Sequence, residues 1–270
     1  SAWGSDILID PRRYPIIKPF TKYALKNADL VTCNSKTLKN GILELGIKQN
    51  KVIVIEHGVD TELFSPKQRN NDVKNRLGIT NAPTVICSRS LKPVYNFEMF
   101  LNAMPLILRQ IPETKFIIVG DGELMEPLQE LACLLGVSSA VKFIGRVPHR
   151  EIPEYLNSAE VYVSTSISDS TSSSLIEAMA CGLSPVVTDL PANREWITAG
   201  ENGFIVPQDD YQTLAIKVTN LLENAELREN MGKINRMMIM EKAEYGNEMN
   251  KMMGLYSDLV RNRSRGTNTI

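Results

Sequence analysis

Short and almost continuously apolar runs recur along the chain, at 52–55, 84–87, 115–119, 141–144, 160–164 and 185–188. They are rich in β-branched residues and do not alternate with polar ones. That pattern predicts parallel strands covered on both faces. Between them, segments 97–110, 123–136 and 174–182 carry apolar residues at three- and four-residue spacing, with Phe97, Phe100, Leu101, Met104 and Leu108 marking one face. Strands and helices in alternation predict an α/β fold with a doubly wound, Rossmann-like parallel sheet.

A break follows Pro66. The polar stretch 67–74 lacks strand character and reads as a linker or the start of an exposed helix. Upstream, residues 1–64 hold about two strands and two helices, too few for a complete α/β domain. Downstream, residues 65–240 supply about six strands with their crossovers. Residues 241–270 read as a C-terminal helix and tail crossing back to the N-terminal part, with 262–270 frayed. The methionine clusters at 237–240 and 252–253 read as flexible core filler.

Composition narrows the class of protein. The 270 residues are 43% hydrophobic and 23% charged, with a net charge of −1. A balance so close to neutral gives no bulk electrostatic reason to bind nucleic acid. No run approaches the ~18 apolar residues of a membrane span, and Ser1-Ala2-Trp3-Gly4-Ser5-Asp6 shows no basic-then-apolar signal pattern. Cys33, Cys87, Cys133 and Cys181 form no C-x-x-C pair and read as small buried hydrophobes in a reducing, cytoplasmic compartment. Neither His57 nor His149 belongs to a set at metal-ligand spacing, so no metal is assigned.

Charge is distributed less evenly than its total. Residues 1–70 hold 11 Lys and Arg against 7 Asp and Glu. Within 12–26, Arg12, Arg13, Lys18, Lys22 and Lys26 accompany Ile16, Ile17, Phe20, Tyr23, Ala24 and Leu25. A basic amphipathic helix of this kind lies on an anionic membrane surface, here the inner face. The plainer reading is a surface helix packing its apolar stripe on its own domain.

The densest chemical signal is STSISDSTSSSLIEAMACG at 164–182. As composition it is a flexible linker. Its place between a buried strand and a helix makes it a binding loop instead, because ligands settle at the carboxyl ends of strands in open α/β sheets. The helix N-terminus there offers free N–H groups to an anion such as a diphosphate. Asp169 and Glu177 stand eight residues apart, and carboxylates so placed accept hydrogen bonds from vicinal hydroxyls. A second reading of Glu177 is structural. Ser174-Leu175-Ile176-Glu177 matches a capping box, in which Glu177 would fold back onto the Ser174 N–H.

Asp169 through Gly182, then Pro185-Val186-Val187-Thr188-Asp189, Glu195 and Gly203-Phe204-Ile205-Val206, resembles the donor-binding region of glycosyltransferase family 4. Its members are retaining enzymes of GT-B fold with an E-x7-E motif followed by E-A-M-A-x-G-x-P-V-V. Here the spacing is kept and Glu177-Ala178-Met179-Ala180-Cys181-Gly182 matches almost verbatim, with Pro185 displaced by one residue. Gly58-Val59-Asp60, Phe64, Gly120-Asp121-Gly122 and Phe143-Ile144-Gly145 resemble further family segments in the same order.

The resemblance implies a hexosyltransferase that moves a sugar from a UDP- or GDP-sugar to a glycan, lipid-linked or small-molecule acceptor, without metal or other cofactor, in polysaccharide biosynthesis. It implies that Glu177 binds the ribose, Asp169 the donor sugar, and the backbone of Ser172, Ser173, Ser174 and Leu175 the diphosphate or sugar. Arg89 stands where the family's diphosphate-binding arginine does, suited to pair with phosphate and stabilise the departing charge. Phe143, Ile144 and Arg146 lie at the base-contacting turn, Gly122 in the loop before it, and Lys92 beside Arg89. Arg89 and Asp169 are the candidate catalytic residues. The sequence offers no pattern that marks a general base.

Three departures bear on the chemistry. Asp169 replaces a glutamate, a reach shorter by about 1.5 Å, one C–C bond. Tyr95 stands where the family has a lysine, with Lys92 the nearest substitute, and Trp3 stands in place of the histidine of His-Gly-x-Asp. A complete enzyme of this family would need roughly another 100 residues before Ser1, about one small α/β domain. Two alternatives therefore stand beside the transferase: a donor-binding module inactive without an absent N-terminal part or a partner chain, and a sugar-nucleotide epimerase on the same fold. Gly120-Asp121-Gly122 is not a dinucleotide fingerprint, since Met125 replaces its third glycine.

Overall fold

The structure is a computed structural model describing residues 1–67 and 72–266. Its first part holds α1 (Ser5–Leu8), α2 (Asp10–Arg13), α3 (Ile17–Asn27), β1 (Val31–Cys33), α4 (Lys36–Glu44) and β2 (Val52–Val54). Then follow α5 (Asp72–Arg76), β3 (Thr84–Ser88), α6 (Phe97–Gln110), β4 (Lys115–Val119), α7 (Met125–Leu134), β5 (Val141–Gly145) and α8 (Ile152–Asn157). The chain closes with β6 (Val161–Ser164), α9 (Ser173–Ala180), β7 (Ser184–Thr188), β8 (Phe204–Val206), α10 (Tyr211–Glu223), α11 (Ala225–Lys242) and α12 (Tyr245–Gly266).

Strands β3 to β8 form one parallel sheet in the order β5-β4-β3-β6-β7-β8. Continuous apolar runs become central strands because side chains alternate between two apolar layers. Val85, Cys87, Phe116 and Ile118 enter the layer that holds Phe100 and Met104 of α6. Ile86, Ile117 and Tyr162 enter the opposite layer with Ile176 and Met179 of α9. Strand order reverses between β3 and β6. A crevice opens at such a switch point, beyond the carboxyl ends of the two strands.

The smaller sheet pairs β1 with β2 in parallel, and Ala2 adds an isolated bridge to Cys33. Its junction with the larger sheet is polar. The Ser35 side chain caps α4 by accepting from the Leu38 N–H, while the Glu195 carboxylate accepts the Lys36 and Thr37 N–H groups at 2.9 and 2.7 Å. All three first-turn donors of α4 are thus satisfied, two of them from the larger sheet's side. Asn34 Nδ2 donates to Ser170 Oγ, and the Thr171 hydroxyl to the Asn34 carbonyl. Beyond α11 the chain returns: Val59 and Tyr245 pair backbones, and Glu248 of α12 accepts the Glu56 N–H.

Several expectations are corrected. The N-terminal part holds four helices rather than two, because α1 and α2 are single turns too short to show periodicity. The helix over 174–182 begins one residue earlier. Helix α12 continues to Gly266, where fraying was expected from 262, and 267–270 lie outside the described residues. Of the expected linker, 68–71 lie outside the described residues and Asp72 opens α5. Cys133 is exposed, as are Met237, Met240 and Met253, so these are not core residues. Helix α3 does not pack its apolar stripe inward. Ile16, Phe20 and Tyr23 are exposed, and only Leu25 and Ala28 rest against the small core. Among the described residues no helix is long and apolar enough to cross a membrane.

Glu56 is half-buried at the end of β2, with Oε2 lacking a hydrogen-bond partner. Burial pushes its carboxyl up to about 7, opposed by a hydrogen bond with Thr171 and reinforced by Glu195 and Glu248. A carboxyl raised in the folded state holds its proton there while the unfolded chain releases it. Folding stability therefore falls as pH rises from about 5 to 7, by about 1–2 kcal/mol. Denaturant unfolding across that range will show the decline in the native chain and a smaller one in Glu56→Gln.

Candidate functional site

Arg89 leaves the end of β3 and enters the crevice at the switch point. Its Nη2 donates to Asp169 Oδ2 at 2.6 Å, and its Nη1 donates to the Ser172 hydroxyl and, at 3.3 Å, to Ser174 Oγ. The guanidinium lies 4.0 Å from the Tyr95 ring centroid, a cation–π contact. Both charged partners are well buried, with side-chain exposures of 8% and 15%. Burial works against the Arg89 charge, but Asp169 together with Tyr162, Tyr95 and Cys87 outweighs it, and the guanidinium is held more firmly protonated. Burial raises the Asp169 carboxyl while Arg89 draws it down.

Two glycines make room for this arginine. Gly120 has φ +143°, and a Cβ there would stand 2.0 Å from the Arg89 carbonyl oxygen. At Gly122 it would stand 2.4 Å from the Leu91 carbonyl oxygen. The Leu91 N–H donates to the Asp121 carbonyl, so the two loops touch backbone to backbone. Gly120-Asp121-Gly122 is thus a close-approach device.

Helix α9 starts where the loop after β6 delivers Ser172, whose side chain accepts the Leu175 N–H. Glu177 is consequently the fifth helical residue and does not reach back to Ser174. The capping-box reading is replaced by a contact with His149, whose Nε2 lies 2.8 Å from Glu177 Oε1. Phe64 flanks the imidazole at 5.1 Å between centroids. Burial raises the Glu177 carboxyl, while His149 and then Arg89 pull it back.

The structure gathers Arg89, Asp169, Ser172 and Ser174 into one cluster, with Glu177 further along α9. Gly122 and Arg146 line a cavity of about 450 Å³ that also contains Ser88, Arg89 and Val147. Other candidates sit differently. Phe143 and Ile144 pack against opposite core layers, and the Leu175 side chain is buried in the core with its N–H spent on Ser172. Ser173 and Lys92 are exposed, and it is Tyr95 that stacks on Arg89. His149 escaped sequence reasoning, since its partner is 28 positions away. Trp3 is exposed and stacks on His57 at 4.6 Å, while its carbonyl accepts from Ser170 Oγ.

A family model described as glycosyl transferases group 1 matches residues 69–238. The chain belongs to the group 1 glycosyltransferases. A glycosyltransferase family 4 model matches residues 8–63. Among curated relatives, the GDP-mannose-dependent alpha-(1-6)-phosphatidylinositol monomannoside mannosyltransferase of Mycolicibacterium smegmatis is 26% identical over 81% of the chain. The N-acetyl-alpha-D-glucosaminyl L-malate synthase of Bacillus anthracis is 25% identical over 93%. The chain spans 59% and 65% of the lengths of these two relatives. Anabaena HepE in complex with UDP-glucose superposes with a TM-score of 0.87 at 21% identity, over 94% of this chain and 71% of that one. Sucrose-phosphate synthase from Thermosynechococcus elongatus gives 0.85 at 22%, over 97% and 67%. The fold of this group 1 glycosyltransferase is that of GT-B enzymes.

Since a side chain at position 120 collides with the backbone that carries Arg89, Gly120→Ala is expected to cost about 3 kcal/mol. Urea unfolding will register that loss as a lower midpoint, whereas Gly78→Ala, with open space around the site, will show only the smaller strain of its own positive φ.

Proposed function

We propose that the chain carries the donor site of a retaining hexosyltransferase that moves a sugar from a UDP- or GDP-sugar to a glycan or lipid-linked acceptor. The observation that carries this reading is the placement of Arg89 at the switch point, between the first turn of α9 and the Asp169 carboxylate. A nucleoside diphosphate in the 450 Å³ cavity would present its phosphates to that guanidinium and to the helix N-terminus. Phosphate oxygens compete for the donors that Asp169 and Ser172 now accept. Arg89 then changes partners, and the released Asp169 carboxylate accepts hydroxyls of the donor sugar.

Glu177, with His149 at its edge, accepts the ribose diol. Catalysis rests on stabilising the diphosphate as it leaves and on orienting the acceptor hydroxyl in the cleft beside the smaller sheet. The bond from the anomeric carbon to the diphosphate oxygen breaks as the bond to the acceptor oxygen forms, and the acceptor's hydroxyl proton passes to the departing diphosphate oxygen. No metal enters this scheme. Relatives support the sugar-nucleotide chemistry: one is named for GDP-mannose and phosphatidylinositol monomannoside, another for UDP-Gal and a diphosphoundecaprenol acceptor. The two names are those of transferases, which does not favour the epimerase reading.

Calorimetric titration with UDP, GDP, UDP-glucose and GDP-mannose tests the proposal. One base is expected to give saturable binding, weakened at least tenfold by Glu177→Gln and by Arg89→Ala. Absence of saturable binding for every nucleotide, or indifference to both substitutions, would overturn it.

A further inference from the structure

At the carboxyl end of the larger sheet, two hydroxyl protons have no acceptor within the protein. The first belongs to Ser88, the last residue of β3. Side chains alternate along a strand, so Ser88 lies on the face of Ile86, which Tyr162 of β6 shares and α9 covers. The residue is 8% exposed, and its Oγ has no hydrogen-bond partner among the described residues. It lines the same cavity of about 450 Å³ as Arg89, Gly120, Gly122 and Arg146. Buried hydroxyls are normally paired, and one that is not calls for a partner from outside. Nothing in the protein fixes its rotamer, so a turn about χ1 presents the hydroxyl to the cavity.

The second follows from a count. Tyr162, Ser172 and Ser174 carry three hydroxyl protons. Two contacts join their oxygens, Tyr162 to Ser174 at 2.7 Å and Ser172 to Ser174 at 3.2 Å. Each contact uses one proton, so one is left over. The remaining bonds of the serines cannot take it, because in them Oγ accepts: from Arg89 Nη1 at both, and from the Leu175 N–H at Ser172. Tyr162 is fully buried and its hydroxyl has no other partner among the described residues, so its proton goes to Ser174. The proton left over therefore belongs to Ser172 or Ser174, at the start of α9 and beside the guanidinium.

We propose that Ser88 and the Ser172–Ser174 pair are hydroxyl donors to the diphosphate of the nucleotide. This rests on the donor-site reading and extends it from the guanidinium and the helix N-terminus to side-chain hydroxyls. A diphosphate is rich in acceptors and brings no proton of its own, the complement of donors whose protons are unspent. Two arginines line the same cavity, so the acceptor that enters it is an anion and not a sugar hydroxyl.

Calorimetric titration of the full chain with UDP, GDP, uridine and guanosine tests the proposal, beside thermal unfolding of the ligand-free protein. Ser88→Ala is expected to weaken the preferred nucleoside diphosphate about tenfold, as for one lost hydrogen bond to a charged group, and to leave its parent nucleoside unchanged. The same variant should unfold at an equal or higher temperature, because it removes a buried hydroxyl that has no partner in the free protein. A hydroxyl with a structural role would lower that temperature instead. Ser172→Ala with Ser174→Ala should show the same split between diphosphate and nucleoside, whatever the lost cap of α9 does to stability. Unchanged diphosphate affinity in either variant, equal weakening of diphosphate and nucleoside, or a lower unfolding temperature in Ser88→Ala would overturn the proposal and leave the donor site standing. No binding of any nucleotide by the unaltered chain would overturn the donor-site reading and this one with it.

Discussion

The architecture of the larger sheet depends on carrying a guanidinium out of water and keeping it compensated. Arg89 stands at the point where strand order reverses, and every element around it contributes to its accommodation. Asp169 and Ser172 arrive from the loop after β6, Ser174 from the first turn of α9, Tyr95 from the turn after β3, and glycine backbone from the loop after β4. Burying a charge costs several kcal/mol unless it is paired and hydrogen-bonded, so these loops are mutually obligatory. That requirement explains why Gly120 and Gly122 tolerate no side chain and why the serine-rich run is ordered.

The same cluster gives two of the departures from the family pattern a shared physical sense. An aromatic ring where a lysine is usual removes one positive charge and covers the remaining one with a π face. A shorter carboxylate still reaches that charge directly. The result is a cluster in which the Arg89 guanidinium is already engaged by a carboxylate and covered by a ring.

Much of the fold was legible in the sequence because central parallel strands must be apolar on both faces, which leaves an unmistakable run in each of β3 to β7. The single-turn helices α1 and α2 were not legible, since a period of 3.6 residues cannot be seen within four. The start of α9 was misjudged because Ser172, Ser173 and Ser174 are equally good caps by local pattern, and the choice among them is made by where β6 delivers the chain. Glu177 and Asp169 were found through their spacing within a known motif. Their partners, His149 and Arg89, lie 28 and 80 positions away, and chain separations of that size are resolved by topology and not by local chemistry.

The junction between the two sheets is made of hydrogen bonds: Glu195 to the head of α4, Asn34 to Ser170, and Thr171 to the Asn34 carbonyl. Each of these groups can be handed back to water at a net cost of only about 1 kcal/mol, because solvent replaces the partner. An interface sealed by leucine and phenylalanine would offer no such exchange. The seam along which an acceptor would enter is therefore wettable by construction at these contacts.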